Sequence, residues 1–141
     1  MTAACCGVLL LVAACTAAPD VALAPLADEA ACSTIDWPAE VSNLPAVATT
    51  PDHPSVSAWG NPPIIARCGL RAAAPTEDSC VDVDGVDWVV RQLTDGTAAV
   101  TYGREPAIEV LVPQEHGPVP LLLPAFGAAA RSLPETGRHC S

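Results

Sequence analysis

The chain has 141 residues, 16 Asp plus Glu against 6 Arg and no Lys, a formal charge of −10, 50% hydrophobic residues, 15 Pro and 7 Cys. That length allows one modest domain, and a mean hydropathy on the apolar side of neutral separates it from disordered acidic chains, which lack the apolar surface to offset chain entropy. The arginines are scattered, so no basic stripe exists to neutralise phosphates or meet an anionic bilayer, and nucleic-acid binding is excluded.

Residues 1–19 carry no charge, and within them the apolar run 7–14 (GVLLLVAA) leads straight into Cys15. This reads as a signal-peptide core rather than a fold element. The run falls short of the roughly 20 residues that span a bilayer as a helix, and Pro19-Asp20 ends it. Val12-Ala13-Ala14-Cys15 resembles the lipobox of bacterial lipoproteins, whose cysteine thiol is alkylated with diacylglycerol before cleavage. The expectation is a signal peptide over 1–14, with Cys15 the first mature residue and the lipid-attachment site; a cleaved secretory peptide and an uncleaved single-span anchor are the alternatives. The stretch departs from a usual signal peptide in lacking an initial Lys or Arg. Two acyl chains hold a protein stably on a membrane where one is marginal, so the expected partner is the membrane, through lipidated Cys15, at the extracytoplasmic face. The acidic body is expected to hover over that surface.

With Cys5 and Cys6 in the signal and Cys15 lipidated, Cys32, Cys68, Cys80 and Cys140 remain, an even number suited to two disulfides outside the cytoplasm. Of the three pairings, Cys68 with Cys80 and Cys32 with Cys140 is favoured, the first closing a short Pro-containing loop and the second tying the ends together. None of the four stands in a C-x-x-C spacing with another, so a zinc site is disfavoured. No cofactor or metal is expected.

Along the chain, residues 15–27 are Ala- and Pro-rich without clean periodicity and read as a tether; the folded domain is expected over 28–141. Asp28 can cap a short helix whose Ala31, Cys32 and Ile35 share a face, with Pro38 ending it. The five prolines between Asn43 and Pro63 predict an extended, irregular arm, anchored by Trp59. Strand-like runs follow at 63–68 (PIIARC), 81–83, 86–93 (VDWVVRQL), 98–104 (AAVTYGR) and 107–112 (AIEVLV), separated by Asp84-Gly85 and Asp95-Gly96 as hairpin turns in which both residue types tolerate positive φ. Ile108, Val110 and Val112 alternate with Glu109, as in a sheet with one buried face. A helix is expected from Pro124, with Leu122, Phe126, Ala129 and Leu133 along one stripe. The fold class is thus α+β: a small antiparallel meander covered on one face by a C-terminal helix and a short N-terminal helix, stapled by disulfides.

Taken together, residues 58–69 (AWGNPPIIARCG), 85–88 (GVDW) and 103–113 (GREPAIEVLVP) resemble a family of secreted or lipid-anchored proteins of high-GC Gram-positive bacteria, known only as a domain of unknown function. The resemblance covers about 32–133. It implies an envelope address and a single α+β domain, and it carries no site.

The candidate chemistry is sparse. Asp82-x-Asp84-Gly85-x-Asp87 has the flavour of a calcium loop but lacks its bidentate Glu, and reads as a hairpin with solvated acids. His53, His116 and His139 stand apart beside turn residues and read as surface histidines. No G-x-S-x-G elbow, H-E-x-x-H or phosphate loop is present, so the chain is expected not to be an enzyme. Glu105 with Glu109, or Glu77 with Asp78, is no more than the proximity that 16 acids guarantee. Arg67 and Arg104 either pair with Asp87 or Glu109 or bind a carboxylate; Trp59 and Trp88 either anchor the core or form an aromatic patch. The expected function is a non-enzymatic interaction or accessory module for another envelope protein. The alternative is a small ligand-binding or solute-sensing domain using Trp59, Arg67, Trp88 and Arg104.

Overall fold

A computed structural model describes residues 16–141; the signal peptide and the lipidated Cys15 expected from the sequence lie outside these residues. Eight strands follow one another: β1 (Glu40–Val41), β2 (Leu44–Val47), β3 (Val56–Trp59), β4 (Ile64–Leu70), β5 (Ser79–Val83), β6 (Val86–Gln92), β7 (Gly96–Thr101) and β8 (Ala107–Pro113). They form one sheet in the order β1-β2-β3-β4-β8-β7-β6-β5, antiparallel throughout. Two four-stranded meanders therefore meet where β4 pairs with β8. Residues 71–78 carry the chain from the middle of the sheet to its far edge.

Side chains alternate across a strand, and the register sorts them. Ala66, Val110 and Ala99 lie opposite one another on one face, whereas Arg67, Glu109 and Val100 lie on the other. The first face is dry: Trp59, Ile64, Trp88, Ile108 and Val110 are each fully buried. It is covered by the short helix α1 (Ala30–Ser33), by two 3₁₀ turns (Val119–Leu121 and Leu123–Phe126) and by helix α2 (Gly127–Arg131). Leu122, Phe126, Ala129 and Leu133 are all buried on it, as the stripe predicted. The helical cover is broken into short turns because Pro118, Pro120 and Pro124 remove donors that a continuous α-helix needs.

Several details differ from the sequence reading. The arm over 43–63 is not irregular: β2 and β3 lie within it. Val56–Trp59 contains no proline and pairs with β4, while Pro45 sits in β2, beside the two-residue edge strand β1, where a missing N–H is tolerated. Residues 19–27 are not a tether. Val21, Ala24 and Ala27 are buried, and Leu26 N–H donates to the Gly69 carbonyl at 2.8 Å. Gly69 permits this approach, since a Cβ there would run into the backbone of Ala27. Asp28 does not cap α1; the capping position is Glu29, without a side-chain hydrogen bond. Asp84-Gly85 forms the expected turn with φ of 53° and 81°, whereas Gly96 is required for a different reason: a Cβ would strike the Val112 carbonyl.

The disulfides join Cys32 to Cys68 and Cys80 to Cys140, which corrects the pairing favoured from loop length. Strand order is the reason. Cys68 on β4 and Cys80 on β5 are separated by β8, β7 and β6, about 19 Å at the usual strand spacing, far beyond the Cα–Cα reach of a disulfide. The bridges close segments 36 and 60 residues apart, each worth about 4 kcal/mol in the chain-entropy account. Replacing Cys32 and Cys68 together by Ser is therefore expected to lower urea-unfolding stability by about 2–5 kcal/mol, and non-reducing peptide mapping of the native chain should recover Cys32 with Cys68 and Cys80 with Cys140.

Candidate functional site

The four side chains nominated for a ligand or partner surface do not converge. Trp59 is fully buried; its indole N–H donates to the Pro38 carbonyl at 2.9 Å, and its ring meets Trp37 and Phe126 edge-on at 6.4 and 5.3 Å. Trp88 is likewise fully buried, with its indole N–H lacking a hydrogen-bond partner among the described residues. Both are core residues rather than an exposed patch, because aromatic burial is the largest cohesive contribution available to so small a domain.

The two arginines act as fasteners. Arg67 Nε donates to Glu109 Oε1 at 2.7 Å across β4 and β8, while its Nη1 donates to the Ala22 carbonyl at 3.0 Å, holding the N-terminal segment against the sheet. Arg104, 7% exposed, donates through Nη1 to the Leu133 carbonyl at 2.7 Å and through Nη2 to Glu135 Oε1 at 3.1 Å, holding the C-terminal tail. That tail passes so close to Gly103 that a Cβ there would meet the Arg138 carbonyl. One surface groove of about 440 Å³ lies between residues 71–76 and the sheet, with Arg71, Arg91, Val100 and Glu109 in its walls. Arg91 in that wall pairs with Asp78 at 2.9 Å. Hydrogen bonds from Arg91 and then from Thr76 hold the Asp78 carboxyl below the usual carboxylate range, so this pairing persists above that lowered value and is lost as pH falls through it.

One constellation escaped the sequence reading. His53 Nδ1 lies 2.8 Å from Ser55 Oγ, and His53 Nε2 lies 3.3 Å from Asp28 Oδ1, the order of contacts found in an acid, base and nucleophile relay. Ser55 N–H also donates to His53 Nδ1 at 3.2 Å, so that nitrogen is an acceptor and Nε2 carries the proton toward Asp28. The burial runs opposite to what catalysis needs. Ser55 is fully buried, whereas the Asp28 side chain is 96% exposed, so an acyl carbon has no path to the hydroxyl. The group closes the turn into β3. Only the fold could reveal it, since Asp28 and His53 are held together by packing and not by local spacing.

The remaining candidates are also local. His116 Nε2 contacts the Pro62 carbonyl, and His139 Nδ1 lies 3.4 Å from Asp87. Asp87 also accepts from Cys140 N–H at 2.9 Å. Asp82 Oδ1 accepts from Gly85 N–H at 3.3 Å within its own hairpin, and among the described residues no three His, Cys, Asp or Glu side chains gather at one point.

Comparison with known sequences places these features in a family. The family model described as a protein of unknown function, DUF3515, matches residues 2–135, and the chain belongs to that family. No curated protein matches the chain, and no solved structure does.

Two outcomes follow from the site geometry. Trp59→Phe loses a buried hydrogen bond and leaves the Pro38 carbonyl short of its donor, whereas Trp88→Phe removes an unpartnered N–H; the first should destabilise by about 1 kcal/mol more than the second in chemical unfolding. A fluorophosphonate probe should leave Ser55 unlabelled in the native protein and label it no faster than other serines after unfolding, as read by peptide mass.

Proposed function

We propose that this member of the DUF3515 family is a lipid-anchored extracytoplasmic protein that serves as a non-enzymatic interaction or accessory module of the cell envelope, of the high-GC Gram-positive kind that its AWG-PPI-RCG and GVDW segments resemble. The observation that carries this reading is the pair of long-range disulfides, Cys32 with Cys68 and Cys80 with Cys140, downstream of the lipobox-like Val12-Ala13-Ala14-Cys15. Structural disulfides persist where thiols are not kept reduced, which agrees with export of the chain.

The small-ligand reading built on Trp59, Arg67, Trp88 and Arg104 loses its support, because two of these side chains are core and the others bind the chain's own carbonyls and carboxylates. The accessory reading is favoured by the same facts: Arg67 and Arg104 are occupied in holding terminal segments in place. Another envelope protein is the partner class proposed.

Intact mass of the protein extracted from the native membrane fraction, alkylated without reduction, tests this reading. The expected species is residues 15–141 carrying a diacylglyceryl group, with Cys32, Cys68, Cys80 and Cys140 unalkylated. A full-length chain with free thiols overturns it.

A further inference from the structure

The lipid-anchor reading, on which this inference rests, has a geometric consequence. The chain enters the sheet beside β2 and is pinned at once: Thr50 N–H donates to the Pro19 carbonyl at 2.9 Å, and Val21 N–H donates to the Thr50 carbonyl at 2.8 Å. Between Cys15 and that fastening lie only Thr16, Ala17 and Ala18. Fully extended, this link reaches about 14 Å. A lipid on Cys15 therefore holds one end of the domain against the bilayer, in place of the loose hovering body that a longer tether allows.

The same end carries apolar surface and no arginine, with His116 turned onto the Pro62 carbonyl and Asp20 exposed beside residues 17–19. A groove of about 470 Å³ opens where residues 17–19 run past β2 and the turn into β4, with Ala17, Ala18, Pro19, Val47, Ala48 and Pro63 in its walls. Val47 is 38% exposed there. Pro63 also borders a neighbouring groove of about 370 Å³ that contains Leu93, itself 42% exposed. None of the six arginines lines either groove. The hairpin at the opposite end of the sheet bears Asp82, Asp84 and Asp87, and there Arg131 donates to the Asp84 carbonyl.

We propose that the end of the domain formed by residues 17–19, Val47–Ala48 and the Asn61-Pro62-Pro63 turn is its bilayer-contact surface, seated on the glycerol and upper acyl layer of the membrane that holds the anchor. The contact is apolar rather than electrostatic. Asp95 and Glu115 line the neighbouring groove, so zwitterionic headgroups favour the contact and anionic ones weaken it. The opposite end of the sheet, with the C-terminal tail and the Asp84-Gly85 hairpin, then faces outward toward envelope partners.

The test uses lipidated protein purified from membranes and reconstituted in phosphatidylcholine vesicles whose acyl chains are brominated near the glycerol. Exposed Asn61 and Thr136 are each replaced by tryptophan in separate variants, Asn61→Trp and Thr136→Trp. Apolar surfaces at such interfaces sit about 5–10 Å into the lipid, so the added emission of Asn61→Trp should fall by about twofold or more while that of Thr136→Trp stays unchanged. Replacing half of the lipid by phosphatidylglycerol should reduce the quenching. Equal quenching of both variants, or none in either, in protein whose mass carries the lipid overturns the proposal while leaving the anchor intact. A mass without lipid overturns the anchor reading and the orientation with it. Where the mass instead shows residues 1–14 retained, shielding of Asn61→Trp from iodide in detergent-free solution shows that the chain's own leader fills the groove, and likewise overturns it.

Discussion

The pairing of β4 with β8 is the contact on which the remainder of the molecule hangs. It joins the last strand of the first meander to the last strand of the second, with Ile65 opposite Leu111, Ala66 opposite Val110, Arg67 opposite Glu109 and Cys68 opposite Ile108. Its inner face supplies Ala66, Cys68, Ile108 and Val110, onto which the helical turns and Phe126 pack. Its outer face supplies the Arg67–Glu109 ion pair, which reaches on to the Ala22 carbonyl. The register shifts between Cys68 and Leu70, and Gly69 at that irregularity, with φ of 118°, admits the backbone of residues 26–27, a role that bulges and strand glycines commonly fill.

From that centre both terminal segments are secured by the same pair of devices, one disulfide and one arginine. The N-terminal side is held by Cys32 with Cys68 and by Arg67 on Ala22; the C-terminal side by Cys80 with Cys140 and by Arg104 on Leu133 and Glu135. A domain of this size buries a limited core, and two cross-links of about 4 kcal/mol each are comparable with the whole stability of a small protein. The partly exposed Arg67–Glu109 pair contributes less through charge than through the backbone carbonyl it captures. Arginines that look like ligand hooks in the sequence are thus committed to chain segments far away in it.

The Asp28, His53 and Ser55 chain carries a related lesson. Residue types and distances match a relay, yet the acid is open to solvent and the hydroxyl is sealed, and access rather than identity decides whether such a chain does chemistry. What a small domain leaves exposed is more informative. Here that includes the apolar end around Val47 and Pro63 near the start of the described chain, Leu121 on the helical cover, and the acidic hairpin with its neighbouring tail at the other end.

The α+β class, the strands from β4 to β8, the buried stripe of Leu122, Phe126, Ala129 and Leu133, and the opposed faces of Glu109 and its apolar neighbours were determined by the sequence itself. Those features rest on local periodicity and turn chemistry, which act over a few residues. The strand order, the disulfide partners, the docking of residues 19–27 and the closing of the Asp28, His53 and Ser55 chain were decided only in three dimensions. Each depends on which distant strands become neighbours. Cys68 and Cys80 are close in sequence, yet three strands lie between them, because β8 and not β5 takes the place beside β4.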